Sequence, residues 1–153
     1  METLERIILQ QPVFKGLESQ LGAIITGCAR NVRFSAGQYI LREGEPADEF
    51  YLLRAGHVAL EVVAPVQAPR AFLTLSAGDI LGLSWLVPPY RWGYDALAVE
   101  DVRAIAMDAR CLRTKCDADH DLGYELMKRF ATLLVKRLHD TRLQAFDVYG
   151  TPA

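Results

Sequence analysis

The stretch that most constrains this chain is Gly37 to Gly56, GQYILREGEPADEFYLLRAG, where glycines punctuate short β-type runs. Tyr39-Ile40-Leu41 lies between Gly37 and Gly44. Glu49 to Val63, EFYLLRAGHVALEVV, is a longer β-rich run broken at Ala55-Gly56, where a hairpin turn is expected. Glycine supplies the positive φ that tight turns need, and alternate apolar residues can fill one face of a pleated strand.

The same period appears elsewhere. Val32 and Phe34 bracket Arg33, and Arg70 to Leu75 alternates, with Phe72 and Thr74 opposite Leu73 and Leu75. Asp95 to Met107 supplies two more short strands hinged at Glu100-Asp101, and Ala64 to Pro69 reads as a loop with two prolines. Short strands at regular spacing with glycine turns indicate a sandwich or jelly roll.

Helices flank this β region. Residues 3 to 11 place Leu4, Ile7 and Ile8 on one side, closed by Pro12, and Phe14 is expected to plug into the core from the linker that follows. Residues 18 to 29 put Leu21, Ile24, Ile25 and Cys28 on one face of a second helix. Asp108 to Lys115 reads as a short helix. Asp119 or Asp121 can cap a long one running to about Phe146, with Leu122, Leu126, Phe130, Leu133 and Leu138 as its stripe. Met127, Leu134 and Thr141 widen that stripe beyond one packing seam, so the helix is expected to meet a second surface, most simply another copy of the chain. Tyr149 to Ala153 reads as a frayed end.

At 153 residues the length suits one domain: helices over 1–30, a roll over 31–108, closing helices over 109–146 and a tail over 147–153. The formal charge of −2 gives no general attraction to a phosphate backbone. No apolar stretch approaches a membrane span and the N-terminus does not read as a signal peptide, so a soluble, cytoplasmic protein is expected. Three cysteines without export signals are expected to be reduced thiols. Cys111, Cys116 and His120 have metal-like spacing, yet a fourth ligand is lacking and Arg113 and Lys115 would repel a cation, so no metal is expected. No nucleophile–base pair or carboxylate pair stands out, and Asp117, Asp119 and Asp121 are better read as helix caps, so an enzyme is not expected.

The chemistry, if any, sits in Gly78 to Ala98, GDILGLSWLVPPYRWGYDALA. A short strand, a glycine, one helical turn over Leu83 to Val87 ended by Pro88-Pro89, and then Arg91 could form an anion cradle; equally they could form a strand corner with a packed aromatic loop. Arg91 either holds an anion or stacks on Tyr90 or Trp92. Trp85, Trp92 and Tyr94 line a pocket or are core aromatics, Ser84 meets a ligand or caps the turn, and Glu45 and Asp48 are expected to tie down backbone N–H groups.

The run from Gly37 to Gly56, with its acid after the second glycine and aromatic pair before the third, resembles the first signature of cyclic-nucleotide-binding domains. The resemblance covers almost the whole chain in family order. It implies a double-stranded β-helix, or jelly roll, with N-terminal helices and a long C-terminal helix. It further implies a sensor that grips the cyclic phosphate and ribose of cAMP or cGMP in a cassette reading Phe-Gly-Glu, a turn of helix, then Arg and a small residue.

This sequence departs from that cassette. Leu81-Gly82-Leu83 stands where Phe-Gly-Glu is expected, and a ribose hydroxyl left without its acceptor would cost about 1–3 kcal/mol. Counting back from Ala98, Trp92 falls in the arginine's register, Arg91 sits one residue early, and Trp92-Gly93 replaces the small hydroxyl pair. Gly82, Leu83, Ser84, Trp85, Arg91, Trp92, Gly93 and Tyr94 are the candidate ligand-binding residues, for a cyclic nucleotide or another small anion. The expectation is a stand-alone regulatory domain with altered or lost nucleotide binding, signalling to a protein partner through its C-terminal helix and pairing with itself through residues 122–146. The competing readings are a ligand-free dimeric interaction module and a truncated protein resembling the catabolite-activator type of transcription regulator. Direct nucleic-acid binding is not expected, since no helix-turn-helix follows the long helix.

Overall fold

In a computed structural model, which describes residues 3–62 and 68–149 and side chains as far as Arg142, the chain forms two antiparallel four-stranded sheets with helices at both ends. The strands are β1 (Ala29–Phe34), β2 (Tyr39–Leu41), β3 (Glu49–Ala55), β4 (Val58–Val62), β5 (Arg70–Leu75), β6 (Ile80–Leu81), β7 (Asp95–Ala98) and β8 (Val102–Asp108). One sheet runs β1-β8-β3-β6 and the other β2-β7-β4-β5. This is the jelly roll that the resemblance implies, which the strand spacing alone left open against a sandwich; the turn at Ala55-Gly56 does not close a hairpin, because β3 and β4 lie in different sheets. Residues 63–67, which include most of the expected proline loop, and 150–153, the end of the expected tail, lie outside the described residues.

Strand alternation builds the core. Phe50, Leu52, Leu60, Ile80, Leu81 and Ile105 are fully enclosed, and Phe14 enters from a 3-10 turn at Pro12–Phe14. The helices are α1 (Leu4–Leu9), α2 (Ser19–Thr26), α3 (Ala109–Ala118) and α4 (His120–Tyr149). Asp108 caps α3, its carboxylate accepting from the Cys111 N–H at 2.9 Å; Asp119 accepts from the Asp121 and Leu122 N–H groups at the start of α4. Among the described residues no helix is long and apolar enough to cross a membrane.

Three readings need correction. The second helix stops at Thr26, short of Cys28, because Ala29 already pairs with Met107 in β1. Leu138 is not on the inner stripe of α4: Leu122, Leu126 and Phe130 are buried, but Leu138 is 67% exposed. Arg137 takes the inward position instead, its Nη2 donating to the Ile80 carbonyl at 2.8 Å.

The third correction concerns the cysteines. Cys28 and Cys111 form a disulfide, with α-carbons 5.9 Å apart across 83 residues of chain. Pairing of β1 with β8 sets this up: the Asp108 N–H donates to the Cys28 carbonyl, so α3 begins beside the end of α2. Only Cys116 is a free thiol, which also removes Cys111 from any metal set. Titration of the non-reduced, denatured protein with a thiol reagent is expected to find one thiol per chain, rising to three after reduction. Three thiols before reduction, in protein purified without reductant, would refute the bridge.

Candidate functional site

The segment between β6 and β7 is built on a contact between Gly82 and Trp92. Gly82 has φ +100°, a conformation side chains disfavour, and a Cβ placed there would lie 2.6 Å from Trp92 Cη2 and 2.7 Å from Cζ3. The indole therefore rests on the bare α-carbon, and Trp92 is only 5% exposed. The glycine that opens the expected cassette is thus covered by the protein's own ring.

A single 3-10 turn, Ser84–Leu86, follows. Its N-cap is Leu83, with no side-chain cap, so Ser84 is the turn's first residue and does not play the expected capping role. Trp85 is wholly buried, stacked on Phe50 at 4.5 Å and edge-on to Phe130 at 5.3 Å. Its carbonyl accepts from Arg113 Nη1 at 2.8 Å. The same nitrogen donates to the Ala47 carbonyl at 3.2 Å, so α3 is tied to both sides of the segment. The peptide between Pro88 and Pro89 is cis.

Residues 90 to 92 are laced to the β2–β3 loop. Ala47 N–H donates to the Tyr90 carbonyl, Trp92 N–H to the Glu45 carbonyl and Gly44 N–H to the Trp92 carbonyl. With this ladder and a period of two, Trp92 turns inward and Arg91 outward. Arg91 is exposed and donates to the Gly44 carbonyl at 2.8 Å. It does not stack on Tyr90; the cation over that ring is Arg113, 4.4 Å from the centroid. Gly93 is exposed.

The acids are also arranged differently from the expectation. The loop N–H that is tied down belongs to Glu43, and its acceptor is Asp95, 7% exposed, at 2.8 Å. Asp95 also takes Arg42 Nη1 at 3.2 Å. Among the described residues the Glu45 and Asp48 side chains make no hydrogen bond to backbone; Asp48 faces Arg113 at 3.9 Å.

Tyr94 is edge-on to Phe72 at 5.8 Å and lies beside Arg137. Burial pushes its phenol up in pKa, and the Arg137 guanidinium opposes that rise. Arg137 Nη1 is buried and has no partner among the described residues. Sequence reading missed Arg113, Asp95 and Arg137. The last was legible, since Leu126, Phe130, Leu133 and Arg137 recur at helical spacing. Nothing local in the sequence marks Arg113.

An eight-stranded roll with a glycine-led 3-10 turn between β6 and β7, closed by a long helix, defines a small-ligand regulatory fold. Residues 31–119 match the family model described as the cyclic nucleotide-binding domain, and the chain belongs to that family. It is 25% identical over 148 residues to the CRP-like cAMP-activated global transcriptional regulator of Mycobacterium tuberculosis, covering 97% of this chain and 64% of that protein. The crystal structure of a cyclic nucleotide-binding protein from Geobacter metallireducens is similar with a TM-score of 0.79 and 27% identity, covering 91% of this chain and all of that one. The regulatory domain of Toxoplasma gondii PKA, crystallised with cAMP, shares the fold (TM-score 0.69, 20% identity, 89% of this chain and 48% of that one).

Proposed function

We propose that this chain is a regulatory module whose cassette does not take cAMP or cGMP in the family's manner and whose output is the exposed side of α4. The observation that carries the reading is the Trp92 ring on Gly82. A cyclic phosphate there would have to displace a buried indole, and Leu83 offers nothing to a ribose hydroxyl. Arg91, the nearest candidate for a phosphate partner, is turned to solvent and engaged with the Gly44 carbonyl.

The output surface follows from α4. Tyr124, Met127, Leu134, Val135 and Leu138 are 49–69% exposed and fall on one side of the helix. Beside them Leu83, Leu86 and Val87 meet Met127 and Leu134 around an apolar groove of about 220 Å³. A helix laid on this face would touch the 3-10 turn directly, so pairing and the state of the cassette are mechanically linked. A second copy of the chain is the simplest occupant, by the isologous match of one apolar stripe with itself. Regulation of a protein partner, rather than catalysis, is the role this supports.

A second reading has its own observation. Arg137 Nη1, buried and without a hydrogen bond of normal length among the described residues although the guanidinium acts on the Tyr94 phenol, could meet a small anion other than a cyclic nucleotide. Calorimetric titration with cAMP and cGMP, with Arg91→Ala as control, tests the proposal. No heat is expected at millimolar nucleotide. Micromolar binding that is lost in Arg91→Ala would overturn the reading and make the chain a nucleotide sensor.

A further inference from the structure

On the sheet formed by β1, β8, β3 and β6 lies a group of positive charges outside the β6–β7 segment. Arg33 of β1 stands directly across from Arg103 of β8, and Arg103 is opposite Ala55 of β3. The register shifts between Leu53 and Ala55, which makes Arg54 the extra residue of a bulge. Bulges turn a side chain away from its regular direction, and here Arg54 joins the other two around one open concavity of about 490 Å³ shared with Asn31, Val32 and Ala104.

The three guanidiniums are exposed, and among the described residues none of them forms an ion pair. Acids near them in the sheet are engaged elsewhere. Glu49 pairs with Arg30, Glu100 meets His57, and Asp101 accepts from the Ala36 N–H. Like charges directly opposite across two strands are destabilising. Three of them without a counter-charge, in a chain of net charge −2, are concentrated at one point.

We propose that Arg33, Arg54 and Arg103 form a binding site for a compact polyanion of the phosphate class, of the size and charge of a triphosphate. Adjacent strands are about 4.8 Å apart, so three positions on neighbouring strands span about 10 Å. That matches a chain of linked phosphates, each of which can take the bidentate fork of an arginine. An extended acidic peptide fits less well, because its same-face carboxylates repeat only about every 7 Å along a line and would not converge on one concavity.

Isothermal titration of the whole chain with inorganic triphosphate, ATP and AMP tests this, with Arg103→Gln, Arg33→Gln and the double variant, and Arg70→Gln as an exposed control. Saturable one-to-one binding of inorganic triphosphate is expected, weakened about tenfold or more by Arg103→Gln and unchanged by Arg70→Gln. ATP binding as tightly as free triphosphate would place recognition on the phosphates alone, and tighter binding would add a nucleoside contact; AMP is expected to bind at least tenfold more weakly. Thermal midpoints of Arg103→Gln and Arg33→Gln are expected to equal or exceed the parent's, since a like-charge pair is removed, so lost binding cannot be put down to lost folding. No saturable heat with triphosphate, or heat equally affected by Arg70→Gln, would overturn the site. So would binding of a glutamate-rich peptide without binding of triphosphate, which would assign the arginines to an acidic protein partner.

Discussion

Replacing Phe130 by alanine is expected to lower the unfolding free energy by about 3–5 kcal/mol. Phe130 is 2% exposed, and its ring meets Phe50 at 5.5 Å, Trp85 at 5.3 Å and Phe14 at 6.3 Å, all edge-on. Those rings come from β3, from the 3-10 turn of the cassette and from the N-terminal 3-10 turn, so one side chain of α4 joins three other elements. Each aromatic pair contributes about 0.5–1.5 kcal/mol beyond area burial, and the surrounding rings come from different elements that cannot all move into the space left. Urea unfolding followed by circular dichroism measures the change. A loss under about 1 kcal/mol would show that α4 is held to the roll by something else.

Gly82→Ala should cost about 2–5 kcal/mol, from two separate sources. An L residue at φ +100° is strained by about 1–2 kcal/mol, and the new methyl must push against an indole already in contact, an overpacking cost of about 1–3 kcal/mol. The two sources separate in a double-mutant cycle with Trp92→Leu. Removing the indole relieves the clash but not the backbone strain, so the double variant is expected to be more stable than the sum of the single losses, by about 0.5–3 kcal/mol. Losses that simply add, within about 0.5 kcal/mol, would mean that Trp92 does not rest on Gly82. That result would also remove the main support for a closed cassette.

The roll was legible because its signals are local and repeated. Turn glycines at 37, 44 and 56 and alternating apolar residues each depend on a few neighbours, and they agree with one another. Counting register from Ala98 raised the choice between Trp92 and Arg91 without deciding it, since a slip of one residue exchanges the two faces of a strand. What stayed hidden depends on contacts distant in sequence. The disulfide needs β1 laid beside β8 before its cysteines are neighbours. Asp95 reaches Glu43 only because β7 pairs with β2. The inward Arg137 escaped for a different reason: a stripe drawn from leucines alone passes over a cation whose head can find a carbonyl at the core's edge.

The β1–β8 pairing has a consequence for how the protein is made. β1 lies at the edge of its sheet and pairs with β8 alone, and the cysteines at this junction are 83 residues apart. Ala29 of β1 and its partner Met107 of β8 are separated along the chain, and at ribosomal rates of 5–20 residues per second β1 emerges about 4–16 s before the strand that completes it. Until then Val32 and Phe34 sit in an open-edged segment with no partner, and β2 waits almost as long for β7, while β4 and β5 can pair as soon as both have emerged. Closure of both sheets is a late, long-range event, so folding speed is governed by the return of β7 and β8 to the N-terminal strands rather than by the local β4–β5 pairing that precedes it.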